Sequence, residues 1–313
     1  MRRLLLLLLL CICWKVNAQE AAFTLPRLQV LYDSACTCGP LQIVPVRRQP
    51  IGEATPEKTD NDSIVTLREA MRKGLVTFSE RGAYMLDNIH ALQLRYRGYH
   101  PLMIHAGEVL LGGRQDRVTA RDTLLQPGAG PQTLPVFCIE EGRWSSREKP
   151  FAYGGTVSAG LQALLQYQPH QTLLWNEIRK LLHQQNSKSQ TSYSFWQQNK
   201  RVADTLNRCV RFFQQRLTGT DSSYAGLLAV TGNRVLGADV LISESLFYQV
   251  LPQLLEKFMA AALQNGAPPQ RNNMQIHAYA QQMLQPTTQE AFLRKKGKRL
   301  YFKGVLLQIT GFE

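Results

Sequence analysis

Cysteine is scarce in this chain, six residues in 313, and two of the six lie in a leucine-rich opening segment. The other four, Cys36, Cys38, Cys138 and Cys209, are too few for the disulfide-dense scaffold of a small secreted domain. No run approaches the ~20 apolar residues of a membrane-spanning helix, so no transmembrane segment is expected. Nucleotide and hydrolase signatures are missing as well. No GxGxxG opens a helix after a strand, no lysine follows a GxxxxG, and neither a Gly-x-Ser-x-Gly elbow nor an HExxH occurs. The usual phosphate cradles, serine hydrolases and zinc proteases lose their sequence support, and no cofactor is expected. Long Pro/Ser/Gly linkers, repeats and low-complexity tracts are absent too, so nothing forces a division of the chain.

What is present begins with Arg2-Arg3, an unbroken leucine run over 4–10, and Val16-Asn17-Ala18. This reads as a secretory signal peptide over 1–18, cleaved before Gln19, and predicts an exported protein, periplasmic or secreted. Lipid anchoring at Cys11 is disfavoured because Leu9-Leu10 supplies no small residue before it. The formal charge of +13 falls to +10 when Arg2, Arg3 and Lys15 are removed. The excess clusters over 177–216 and again over 294–299. Such runs are usually solvated helix faces. They also suit contact with anionic lipid head groups, lipopolysaccharide or acidic glycans, whereas no aromatic-basic stacking motif supports nucleic acid.

Hydrophobic period divides the chain. Residues 41–46 read as a strand and 66–73 as a helix capped by Thr66 and ended by Gly74. Strands follow at 75–78, at 92–96 where Leu92, Leu94 and Tyr96 alternate with polar residues, and at 102–104. From Leu161 onward the apolar spacing becomes helical, with three helices expected up to Leu217. A hairpin turns at Thr231-Gly-Asn233, and Ser243 caps a long apolar helix interrupted by Pro252. A last strand pair brackets Lys303-Gly304. The expectation is an α+β fold: a single domain over 19–313, with an N-terminal extension and exposed loop over 19–65 (the loop itself at 49–62), a β-rich region over 66–145, and helices with C-terminal hairpins over 146–313. The helices are expected to cover one β core on one side. A second exposed loop is expected over 265–273.

The most informative stretch runs from His105-Ala-Gly-Glu108 to Gln115-Asp-Arg117, followed by Val136-Phe-Cys138-Ile-Glu140-Glu-Gly-Arg143-Trp144. Read as two strands joined across the turn formers of 126–132, period-2 alternation places Gln115 and Arg117 on one face and Val136, Cys138 and Glu140 on another. A ligand-binding site of Glu108, Gln115, Arg117, Cys138, Glu140 and Arg143 is therefore expected. Its arginine fork would grip a small anionic ligand or envelope component. The structural alternative is an internal network of Arg117, Glu140 and Gln115 that fixes strand register. A hydrolase is the enzymatic alternative, with Glu108 or Glu140 as general base and Arg117 holding an anionic intermediate.

His105 and Glu108 would fall on opposite faces of a strand, so no metal site is expected there. Cys138, between Phe137 and Ile139, reads as a small buried hydrophobe. Cys36 and Cys38 are too close for an easy mutual bridge, which leaves a bond to a distant cysteine or a pair of free thiols.

Leu67-Arg-Glu-Ala70, Gly74-Leu-Val76, Glu80, Gly107-Glu108, Gly113, Gln115, Arg117, Pro135-Val136, Cys138, Glu140 and Gly142-Arg-Trp144 together resemble the ADP-ribosylglycohydrolase- and rhodanese-phosphatase-associated domain family. Later residues, Leu227-Leu-Ala-Val230, Gly237, Asp239 and Leu246-Phe247, extend the resemblance over most of the chain. It implies at most a partner or ligand role beside enzymes that process ADP-ribose or phosphates. The chain departs from the family in carrying Arg114 and Asp116, and in a final strand, Gln308-Ile-Thr310, without histidine.

Overall fold

The computed structural model describes residues 28–49, 64–80, 89–184, 187–189, 191–218, 223–270 and 273–313. The expected signal peptide and nearly all of the expected loop over 49–62 lie outside these residues.

The chain opens with β1 (Leu28–Val30), β2 (Cys36–Cys38), β3 (Leu41–Arg48), β4 (Val65–Thr66) and helix α1 (Leu67–Arg72). Thr66 Oγ1 accepts the Glu69 N–H at 3.3 Å and caps α1 as the sequence predicts. There follow β5 (Val76–Ser79), β6 (Ala91–Tyr96), β7 (Leu102–Ile104), β8 (Glu108–Leu111), β9 (Arg117–Thr119), β10 (Thr123–Leu125), β11 (Gln132–Cys138) and β12 (Ala152–Thr156). Four helices succeed them: α2 (Ala159–Tyr167), α3 (Gln171–Gln184), α4 (Tyr193–Gln198) and α5 (Lys200–Thr218). The chain then forms β13 (Tyr224–Thr231), β14 (Arg234–Leu241), α6 (Glu244–Asn265), α7 (Asn273–Leu284), α8 (Pro286–Lys296), β15 (Gly297–Phe302) and β16 (Val305–Phe312).

The strands make three sheets, and the fold is α+β. A seven-stranded sheet runs β1-β3-β13-β14-β16-β15, with β2 also pairing β3; a three-stranded sheet runs β10-β7-β4; a six-stranded sheet runs β12-β8-β9-β11-β6-β5. Helices cover both faces of the largest sheet, not one. Leu246, Phe247, Val250 and Phe258 of α6 pack with Ile43 and Leu227 on one face. Ile276, Ala280 and Met283 of α7 and Phe292 of α8 pack with Val44, Leu228 and Val240 on the other. Alternation along β3 and β13 sends successive apolar residues to opposite faces, so a sheet apolar on both sides needs two covers.

Three local expectations are corrected. The stretch 105–117 is not one strand: β8 and β9 pair antiparallel through Val109↔Val118, with 112–116 as the turn between them. Gly112 and Gly113 have φ of +131° and +54°, and a Cβ on Gly112 would lie 2.4 Å from the Pro150 carbonyl oxygen. Only glycine fits that crossing. The segment 126–132 is not a hairpin turn, because β10 leaves to pair with β7 while β11 pairs with β9 and β6. The helix expected through Phe195 and Val202 breaks at Asn199, whose Oδ1 accepts the Arg201 N–H at 3.1 Å and starts α5 afresh. Helices α7 and α8 were not legible as helices.

Cys38 of β2 is bonded to Cys209 of α5, with Cα atoms 5.5 Å apart, and Cys36 and Cys138 are free. This settles the Cys36/Cys38 alternatives in favour of one long-range bond. Among the described residues no helix is long and apolar enough to cross a membrane.

Candidate functional site

The strand-pair residues do meet, but around a different partner. Arg117 is completely buried. Its Nη2 donates to Glu80 Oε1 at 2.7 Å, and its Nη1 donates to Gln115 Oε1 at 2.9 Å and to Cys138 Sγ at 2.7 Å. Glu80 Oε2 accepts the Arg114 N–H at 2.7 Å, so the carboxylate ties the 112–116 turn to the guanidinium. Glu140, the expected partner of Arg117, offers only its backbone carbonyl to the cluster, taken by Gln115 Nε2 at 2.9 Å. Its carboxylate pairs with Arg143, which also reaches Asp116 at 3.1 Å. The reason is placement: Gln115 lies in a turn and Glu140 lies beyond the end of β11, so neither follows strand alternation.

Trp144 lies with its ring centroid 5.5 Å from the Arg114 guanidinium and 5.9 Å from that of Arg117. An anion reaching Arg117 would have to displace Glu80, whose side chain is as buried as that of Arg117. Burial pushes the Glu80 carboxyl up against the pull of the Arg114 N–H and Arg117, and it pushes the Cys138 thiol up as well. A thiol shifted that way is a poor nucleophile.

Glu108 belongs elsewhere. Fully buried on β8, it accepts the His105 N–H at 2.8 Å through Oε2 and the Tyr153 hydroxyl at 3.2 Å through Oε1. Burial raises its carboxyl to about 8, with the His105 and Tyr153 bonds opposing. The Tyr153 ring carries the Arg68 guanidinium 5.8 Å from its centroid, and Arg68 Nη1 donates to Glu256 Oε1 at 3.0 Å. Burial raises Glu256 too, opposed by Arg68.

These side chains open on a polar groove between α1, β12 and helices α4 to α6. One compartment of about 500 Å³ is bordered by Arg68, Asp204, Asn207, Arg211, Pro252 and Glu256. A second of about 260 Å³ shares Arg68, Asn207 and Glu256 and adds Tyr153, Gly155, Trp196 and Gln197. Of the residues expected from the sequence, only Glu108 stands behind this groove, through Tyr153. One sequence signal pointed to it: Glu256-Lys257 is a charged pair inside an otherwise apolar helix face.

Lys257 turns the other way, into a buried cluster. It pairs with Asp239, whose Oδ1 accepts Gln308 Nε2 and Thr310 Oγ1, both at 2.7 Å. Gln308 Oε1 meets His105 Nε2 at 2.7 Å, so His105 joins this cluster by its ring and Glu108 by its backbone. Burial lowers both His105 and Lys257. Among the described residues no group of three or more His, Cys, Asp or Glu is assembled to hold a metal. Of the basic run, Arg201, Arg208, Arg211 and Arg216 are exposed on α5, while Arg179 and Lys180 of α3 face Glu141 and Glu177.

A stability test follows from Glu108. Its folded value of about 8 lies above the ordinary 4.5, so between those pH values the folded protein holds a proton the unfolded chain has released. Stability therefore falls as pH rises across that window. Glu108→Gln should flatten the pH dependence by a few kcal/mol, on the order expected for a carboxyl shifted this far. Denaturant midpoints of both proteins at pH 5 and pH 8.5 measure it; identical slopes would remove Glu108 as the cause.

The model of a family described as the ARG and Rhodanese-Phosphatase-superfamily-associated Protein domain matches residues 29–303. No curated protein and no solved structure matches the chain.

Proposed function

We propose, from the premise that the chain belongs to the ARG and Rhodanese-Phosphatase-superfamily-associated Protein domain family, that it is a binding module for a small anionic ligand, held in the groove of Arg68 and Arg211. One observation carries this reading. Both arginines border one cavity together with Asp204 and Glu256, and Arg211 makes no ion pair with a carboxylate among the described residues. Arg68 is held from behind by Glu256 through one nitrogen, which leaves further donors of its fork for a ligand. The side chain of Arg68 is 43% exposed and that of Glu256 17%, so an anion can approach the first without uncovering the second. The buried Arg117 cluster serves here as the frame that fixes the turn and strand ends. Export, expected from the sequence, is supported by the Cys38–Cys209 bond, which persists in oxidising compartments.

Thermal unfolding in the presence of sugar phosphates, nucleotides and acidic glycans tests the reading. A ligand at a hundred times its Kd adds about 2.7 kcal/mol of stability. The midpoint of the natural protein should rise, and the rise should vanish in Arg68→Ala and Arg211→Ala variants that still fold. Equal shifts in both variants would place the ligand elsewhere.

A second, hydrolytic reading rests on Glu108, whose carboxyl is pushed up by burial and accepts the hydroxyl of a tyrosine at the groove. Glu108→Gln should then keep ligand binding and lose turnover. Turnover at the natural rate would remove Glu108 as the proton donor.

A further inference from the structure

The second compartment of the groove contains polar groups that the anion reading leaves unused. Gly155 sits in β12 at φ +88°, where the register between β12 and β8 shifts between Tyr153 and Thr156. A Cβ built on it would lie 3.3 Å from Glu256 Oε2 and 3.5 Å from Gln197 Nε2. Any side chain at this position would cover both groups, and the glycine leaves them open to the compartment. Glu256 spends Oε1 on Arg68, while Oε2 has no hydrogen-bond partner among the described residues. Gln197 Nε2 donates to the Gly154 carbonyl at 3.0 Å and keeps a second N–H. Trp196 borders the same compartment, is 1% exposed, and its indole Nε1 is buried without a partner.

An acceptor and a donor around one small space call for a group that both donates and accepts. Water satisfies that requirement, and so does a hydroxyl. A purely apolar ligand would leave Glu256 Oε2 and the second Gln197 N–H unpaired, and a carboxylate or phosphate placed there would face Glu256 with Arg68 as the one arginine beside it. The first compartment adds both Arg211 and Asp204 to the shared Arg68 and Glu256, so only there do two arginines border one space.

We infer that the ligand is a polyhydroxylated anion of the sugar-phosphate type. Its phosphate lies between Arg68 and Arg211, and its hydroxyls reach Glu256 Oε2 and Gln197 Nε2. The inference rests on the anion-binding reading and adds the chemistry of the other end of the ligand. Gly155 is then a specificity-determining position, because a methyl group there occupies the hydroxyl space.

Calorimetric titration of the full chain with inorganic phosphate, glycerol 3-phosphate, ribose 5-phosphate and glucose 6-phosphate, and with glycerol, ribose and glucose, tests it. At least one of the three phosphorylated polyols should bind roughly tenfold or more tightly than inorganic phosphate and than its own uncharged parent. Gln197→Leu and Gly155→Ala should each weaken that polyol phosphate by roughly five- to tenfold while leaving inorganic phosphate unchanged. Should Gly155→Ala fail to fold at its φ of +88°, the half-buried Gln197 still carries the test. Inorganic phosphate binding as tightly as all three polyol phosphates, through Arg68 and Arg211, keeps the anion site and overturns the hydroxyl compartment. Polyol phosphates that bind no better than their uncharged parents, or no binding by any probe, overturn the anion reading and this inference with it.

Discussion

Arg117→Ala is expected to cost about 3–5 kcal/mol of folding stability, the range for removing one partner of a buried ion pair. The loss has three sources in the structure. Glu80 would keep a wholly buried carboxylate without its cation. Gln115 Oε1 would lose its donor at 2.9 Å, and the ring of Trp144 would lose one of the two guanidinium groups beside it. Leaving such groups unpaired is costlier than never placing them there.

The double replacement Glu80→Leu with Arg117→Met should therefore be markedly less destabilised than the sum of the two single changes, with a coupling energy of about 1–3 kcal/mol. Denaturant unfolding of the four proteins measures that coupling. Arg143→Ala supplies the contrast: its own side chain is 33% exposed, whereas its partners Asp116 and Glu140 are 11% and 13% exposed. A smaller loss, about 1–2 kcal/mol, is expected there. If Arg117→Ala proved as mild as Arg143→Ala, the cluster would not be the frame described above.

The second large effect concerns the Cys38–Cys209 bond. It closes a loop between residues 171 apart in sequence and fastens β2, at the side of the largest sheet, to α5, which forms one wall of the groove. Cross-linking over so long a loop restricts the unfolded chain strongly, and removing a native bond of this kind typically costs about 2–5 kcal/mol. A Cys38→Ala, Cys209→Ala protein should unfold at lower temperature than the natural one and be indifferent to reductant. The natural protein should lose stability when reduced. Coincident unfolding curves for oxidised and reduced protein would show that the bond adds nothing.

The bond also bears on the groove. Cys209 is fully buried in the cluster that joins α5 to α6, and Asn207 and Arg211 flank it on the same helix. Loosening α5 should therefore weaken any ligand that uses Arg211.

Much of the framework was legible because it depends on local periodicity. Thr66 caps α1, Ser243 caps α6, Gly232 turns β13 into β14, and Lys303-Gly304 turns β15 into β16, all where the residue types require. Helices α7 and α8 escaped notice because only a few apolar residues, Ile276, Ala280, Met283, Phe292 and Leu293 among them, stand in a run rich in glutamine. Their helical state depends on the sheet face they cover.

The candidate site was legible only in part. Gln115, Arg117 and Cys138 do converge, yet the carboxylate that completes the cluster is Glu80, which lies 37 residues upstream. No spacing rule links them. The groove is less visible still, since Arg68, Tyr153, Arg211 and Glu256 come from four separate elements.

The sequence by itself therefore determined the family, the α+β class and the local elements, because caps, turns and apolar periods act over a few residues. Only the tertiary structure decided which charges meet. Pairing of β5 with β6, and of β6 and β9 with β11, brought Glu80 to Arg117, and the packing of α5 and α6 beside β12 placed Arg211 and Glu256 around one cavity. Such long-range meetings depend on how sheets and helices stack, and a side chain's place in the linear order carries no record of that.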